Sequence, residues 1–135
     1  MAVCLMLLCF SLFIVIPSSG QKKSAPKANT SSNKRVIYGL ASFYADKFNG
    51  RPTASGEIFS QKKLTCACNM LPLGTWIKVT NVRNGKSVMV KVNDRIHPKM
   101  RRLVDLSKGA AKKIGYTAMG VERVKVEVVG RNKPN

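Results

Sequence analysis

The chain has 135 residues, 44% hydrophobic and 22% charged, with ten Gly and six Pro, which is the composition of one globular domain and excludes a collagen-like or wholly disordered chain. Its 24 Lys+Arg against 6 Asp+Glu give a formal charge of +18, too few carboxylates for a calcium cage and enough positive charge to favour a polyanionic partner: nucleic acid, an anionic membrane face or an acidic wall polymer. Acid–base chemistry by carboxylates is limited to Asp46, Glu57, Asp94, Asp105, Glu122 and Glu127.

Residues 2–16 carry no charge, and Ser11 is their only polar side chain. The run is short of the roughly 20 residues of a membrane helix and suits the apolar part of a signal peptide, closed by Pro17. Ser18 and Gly20 are small enough for the two key positions before a cleavage site after Gly20. No Lys or Arg precedes the run, which leaves an uncleaved anchor as the alternative, and neither Cys4 nor Cys9 sits in a lipoprotein processing context. Residues 1–20 are therefore expected to be a signal peptide that leaves an exported protein without a stable membrane anchor. Residues 21–35, QKKSAPKANTSSNKR, hold no aromatic or large aliphatic side chain and read as a flexible basic linker. The folded domain is expected over 36–130, with 131–135 as a polar tail.

Within that domain, 36–44 is a strand candidate with Gly39 as a site for a bulge. Cys66 and Cys68 form a C-x-C pair whose side chains share a face if the segment is extended. A bridge between them would close a small strained ring, and the pair plus the only His, His97, falls short of a zinc site, so two reduced, buried thiols are the simpler reading. Residues 75–82 and 87–93 read as a hairpin joined by Arg83-Asn84-Gly85-Lys86, in which Asn-Gly supplies the positive φ angles of a tight turn. Val88, Val90 and Val92 share one face there, and Met89 and Lys91 the other. A helix over 108–114 is capped by Ser107, offers Ala110, Ala111 and Ile114 to the core and ends at Gly115. Residues 121–129 alternate as a last strand. Short strands with one short helix favour a small closed β-barrel over a sandwich.

Asp94 is the most informative acid. By period 2 it continues the face of Val88, Val90 and Val92, at the mouth of an apolar core, where partial desolvation would raise its pKa and suit it to protonate a glycosidic oxygen. A loop Asp paired with Arg95, or turned onto its own backbone, is the alternative. Asp105 lies between apolar neighbours just before the helix, where it can bond backbone N–H groups at the helix start. Glu57 sits in a loop of small residues, Thr53-Ala54-Ser55-Gly56, which permits close approach of a ligand to the backbone. Tyr38, Phe43, Tyr44, Phe48 and Phe59 could stack on sugar rings or pack the core. Arg51, Lys62, Lys63, Lys99, Arg101 and Arg102 could meet an anionic polymer or simply be solvated.

Gly39-Leu40-Ala41-Ser42-Phe43-Tyr44, Phe48-Asn49-Gly50-Arg51, Thr53 to Glu57, Leu64-Thr65, Leu71 to Thr75, Val79-Thr80-Asn81, Asn84-Gly85, Val92 to Arg95 and Asp105-Leu106-Ser107 follow one another in an order that resembles the rare lipoprotein A (RlpA) family of bacterial lytic transglycosylases. The resemblance spans about 90 residues, nearly the whole domain. It implies a mainly β fold: a six-stranded double-psi β-barrel with one or two short helices. It also implies cleavage of the β-1,4 bond between N-acetylmuramic acid and N-acetylglucosamine in glycan strands stripped of stem peptides. A 1,6-anhydro end is formed, in cell-wall remodelling and daughter-cell separation in the periplasm or cell envelope.

By position Asp94 and Glu57 would be the catalytic acids, with Asp94 as general acid/base. Phe43, Tyr44, Arg51, Thr53, Cys68, Arg95 and Asp105 would contact substrate. No cofactor, metal or nucleic acid is implied, and a monomer is expected on peptidoglycan glycan strands. Cys68 stands where the family has a His, and Ile96-His97-Pro98 replaces a common Gly-Pro, so His97 is a candidate to supply the missing imidazole. These departures keep open a non-catalytic, expansin-like module that binds or loosens the wall.

Overall fold

The computed structural model describes residues 14, 15 and 34–135. The expected leader over 1–20 and linker over 21–35 therefore lie almost entirely outside the described residues.

Six strands appear in chain order: β1 (Val36–Phe43), β2 (Thr65–Ala67), β3 (Trp76–Asn81), β4 (Ser87–Asp94), β5 (Val104–Leu106) and β6 (Glu122–Gly130). A 3-10 turn, Asp46–Phe48, follows β1, and helix α1 (Lys108–Lys113) lies between β5 and β6. The strands close into a barrel in the order β1-β5-β2-β4-β3-β6, with β1/β5 and β2/β4 parallel and the other pairs antiparallel. This is the closed, mixed six-stranded barrel of a double-psi β-barrel, and closure leaves no sheet edge unpaired.

Alternation explains which side chains fill it. Ile77, Val79, Val88, Val90, Val92, Val104, Leu106, Val124 and Val126 point inward and are buried, each such side chain contributing about 1.5–3 kcal/mol of burial. Helix α1 closes the barrel with Ala110, Ala111 and Ile114. Ser107 caps it by accepting from the Ala110 N–H at 3.3 Å. The carbonyl of its C-cap, Ile114, is satisfied from the hairpin, accepting from Asn81 Nδ2 at 2.9 Å and from Asn84 Nδ2 at 3.0 Å.

Three local readings are corrected. The β3–β4 connection is not a two-residue turn with paired positive φ angles: Gly85 alone takes positive φ (74°), because Asn84 is occupied with its side chain on the helix end. Gly39 is not a bulge, since β1 runs in unbroken register with β6. A side chain there is excluded by Leu103, whose Cβ would lie 2.7 Å from an added Cβ. The bulge that matters is in β4. Thr65 and Cys66 of β2 pair with Lys91 and Val92, but Ala67 pairs with Asp94 and leaves Asn93 as the extra residue. Asp94 therefore does not simply continue the row of valines; the extra residue turns the end of β4 toward a surface cleft.

Candidate functional site

Pairing across four strands builds the floor of this cleft. Ser42 of β1 lies opposite Asp105 of β5, Asp105 opposite Ala67 of β2, and Ala67 opposite Asp94 of β4. Two carboxylates thus flank one alanine, which is 1% exposed and leaves space above it. The cleft has a volume of about 600 Å³. Phe43, Tyr44 and Phe48 wall one side, and Ile96, His97 and Met100 another.

The Asp94 carboxylate is held by three neutral donors. The Tyr44 hydroxyl donates to Oδ2 at 2.7 Å, and the backbone N–H groups of Ala54 and Arg95 donate to Oδ1 at 3.0 and 2.8 Å. Among the described residues Asp94 has no ion-pair partner. The Ala54 donor is delivered by a small turn. Gly50 N–H donates to the Phe59 carbonyl and Phe59 N–H to the Arg51 carbonyl, both at 2.8 Å, which closes the base of the 53–57 loop. Gly56, at φ 87°, makes the turn, and Ser55 N–H donates to the Asn93 carbonyl at 3.1 Å. The small residues of this loop thus serve to bring a backbone amide onto a carboxylate.

Tyr44 stacks on Phe59 (ring centroids 4.2 Å apart) and meets Phe48 edge-on at 5.8 Å. Burial, reinforced by the hydrogen bond to Asp94, pushes its phenol far above the ordinary tyrosine range, so the hydroxyl remains a donor. Gln61 fixes the segment behind it, donating to the Tyr44 carbonyl at 2.8 Å and accepting from the Lys108 N–H at 2.8 Å.

Asp105 does not serve the helix start, which Ser107 caps. Its register opposite Ser42 gives it the Ser42 hydroxyl at 2.7 Å, and Arg102 donates to both its oxygens at 2.7 and 2.9 Å. The two acids of the cleft are therefore unlike: Asp105 is neutralised by a guanidinium and Asp94 is not. Arg95 turns its guanidinium away from Asp94, onto the carbonyls of Cys68 and Leu71. His97 lines the cleft and accepts from the Lys99 N–H at Nδ1 (3.2 Å), which in the neutral ring leaves the proton on Nε2.

Of the residues singled out in the sequence, Phe43, Tyr44, Phe48, Asp94, Arg95, His97, Arg102 and Asp105 meet in this one cleft. The others lie elsewhere. Glu57 lines a neighbouring cleft, where its carboxylate accepts from Lys91 Nζ at 2.6 Å and Asn93 Nδ2 at 3.0 Å. Those two hydrogen bonds hold it below the usual glutamate range. Thr53 is buried in the loop, donating to the Glu57 carbonyl at 3.0 Å. Arg51 lies over the Phe48 ring at 5.7 Å. Cys68, expected among the substrate contacts, is fully buried and gives the cleft no side-chain surface; its N–H donates to the Asp94 carbonyl at 3.1 Å. Both Cys66 and Cys68 are free, buried thiols. Ala67, Ser42 and Met100 were not singled out; only the strand pairing, or the three-residue step from Arg102 to Asp105, could have pointed to this neighbourhood.

The family described as lytic transglycolase matches residues 36–126, from the first residue of β1 into β6. The chain belongs to this family, among the RlpA-like proteins. The endolytic peptidoglycan transglycosylase RlpA of Pseudomonas aeruginosa is 51% identical over 123 residues, covering 84% of this chain and 36% of that protein. The protein of that name in Campylobacter jejuni is 39% identical over 129 residues, covering 88% and 47%. The chain thus spans less than half the length of these curated relatives. Among solved structures, an expansin of Clavibacter michiganensis superposes with a TM-score of 0.59 at 21% identity, over 74% of this chain and 53% of that one. The Streptomyces papain inhibitor does so with a TM-score of 0.58 at 24% identity, over 70% and 94%. At these identities the two structures speak for the barrel fold alone.

Proposed function

We propose that the domain is a peptidoglycan lytic transglycosylase of the cell envelope, and that Asp94 is its general acid and base. The observation that carries this reading is the Asp94 carboxylate itself, fixed by neutral donors beside an aromatic wall in an open cleft. The relatives named endolytic peptidoglycan transglycosylase support the substrate class.

In this mechanism protonated Asp94 gives its proton to the glycosidic oxygen as the C1–O4 bond breaks, and N-acetylglucosamine leaves with a free 4-hydroxyl. The C6 hydroxyl of the muramyl residue attacks its own C1, closing the 1,6-anhydro ring, and its proton returns to the Asp94 carboxylate. No water is consumed, and one carboxyl group serves both steps. Tyr44 and the Ala54 N–H hold the carboxylate in one orientation for both proton transfers. Phe43 and Phe48 offer flat apolar faces to the sugar rings, and the cationic surroundings suit a glycan whose lactyl groups are free carboxylates.

The test is incubation with peptide-free glycan strands, read by mass spectrometry, with Asp94→Asn as the paired protein. New anhydro-muramyl ends that vanish in the variant are the expected result. Co-sedimentation with the strands but no new ends would assign the domain instead to non-catalytic wall binding, a reading favoured by the burial of Cys68 at the position of the family His.

A further inference from the structure

A second row of paired residues crosses the same face of the barrel. Thr65 of β2 lies opposite Lys91 of β4, and Lys91 opposite Trp76 of β3. The row is two β2 residues away from Ala67 and its partner Asp94, a step of about 7 Å along the strand. Above it is a cleft of about 570 Å³, walled by Leu64, Trp76 and Met89 on the barrel and by residues 133–135 of the tail, with the Lys91–Glu57 ion pair at its rim. Trp76 alternates with the inward Ile77, so its ring belongs to the outer surface, where it stays partly exposed. Thr65 forms part of the wall and is 7% exposed, and its hydroxyl has no hydrogen-bond partner among the described residues.

This combination is that of a saccharide site: a flat apolar ring, a thioether beside it, and a few fixed polar groups at the edge. The two clefts share the β2–β4 ladder as their floor. The side chain of Asn93, next to Asp94, donates to Glu57 at 3.0 Å and so ties one rim to the other. We propose that the Trp76 cleft is a second sugar-binding subsite, which holds the part of the same glycan strand adjoining the residue cleaved at Asp94. The inference rests on the glycan-cleaving reading above and extends it. Ring stacking on Trp76 supplies affinity, and Lys91 and Glu57 at the rim meet hydroxyl, acetamido or carboxylate groups of the strand. Glu57 is then a binding group held ionised, on the far side of Asn93 from the reacting bond.

Trp76 is the single tryptophan of the chain, so its emission reports on this cleft alone. Asp94→Asn protein, which binds without cutting, is titrated with peptide-free glycan strands while Trp76 fluorescence and co-sedimentation are followed. A saturable change in emission that tracks the bound fraction is expected. In cleaving protein, Trp76→Ala is expected to raise KM for long strands about 2- to 10-fold, the size of one aromatic contact, with kcat little changed. Trp76→Phe restores most of the affinity. Strands that bind and are cut while the emission stays constant and Trp76→Ala leaves KM unmoved overturn the subsite and leave the function standing. Strands that neither bind nor are cut overturn both.

Discussion

The hydroxyl of Tyr44 donates to Oδ2 of Asp94 at 2.7 Å, joining the residue after β1 to the last residue of β4. The phenol is anchored by its stack on Phe59, so the bond orients the carboxylate and not the reverse. Tyr44→Phe keeps the ring and removes the donor. Loss of one hydrogen bond to a charged group corresponds to about 1.5–3 kcal/mol, so kcat for glycan cleavage should fall roughly 10- to 100-fold while KM changes little. Steady-state rates on peptide-free strands check this, and an unchanged kcat would show that Asp94 is oriented by its backbone donors alone.

Arg102 and Asp105 form a two-pronged ion pair, with side chains 26% and 15% exposed. Arg102→Met leaves a mostly buried carboxylate with the Ser42 hydroxyl as its remaining side-chain donor. The expected loss is about 1–3 kcal/mol, which for a domain of this size lowers Tm by roughly 5–15 °C. Adding Asp105→Asn removes the stranded charge and should recover part of the loss. A double-mutant cycle by thermal melting measures the coupling, and simple additivity would show that solvent already screens the pair.

The residues that could be read directly are those whose pattern is long enough to repeat. β3, β4 and β6 each alternate over six or more residues, and the helix carries its own cap in Ser107. β2 and β5 are three residues each, too short for any period, and all of β2 is buried, so only the family resemblance announced them. Asp94 was visible as an acid at the end of a strand. Its surroundings were not, because the bulge at Asn93 breaks the alternation and because Tyr44, Ala54 and Asp105 reach it through parallel pairing and a distant loop. Glu57 and Cys68 show the converse limit. Motif position could not show that Glu57 is tied to Lys91 at the rim of a neighbouring cleft, or that the Cys68 side chain is sealed in the core.

Glu57 also predicts a pH dependence. Its folded pKa is depressed by Lys91 and then Asn93, so its contribution to stability is present above the unfolded glutamate value and is lost as pH falls through the lower folded value. Between about pH 5 and pH 3 the domain should therefore lose Tm partly through this group. Glu57→Gln should lower Tm slightly at neutral pH and flatten the acid side of the Tm profile. The side chain is 41% exposed, so the effect is small and shrinks in high salt. An acid limb identical to that of the parent protein would place the titrating interaction elsewhere.

Cys66 and Cys68 are both 0% exposed, and burial pushes the Cys66 thiol well above the ordinary cysteine value. Iodoacetamide should therefore label neither residue in the folded protein and should label both once denaturant unfolds it, as peptide mapping by mass spectrometry can show. The same burial decides what a family-like imidazole would do here. Cys68→His inserts a larger, polar ring into a packed site, at an expected cost of about 1–3 kcal/mol. Cys68 is buried and is not part of the cleft wall, so glycan cleavage should not improve. A faster enzyme with Cys68→His would mean that this position opens toward Asp94 when the strand is bound, and that the cysteine limits the rate.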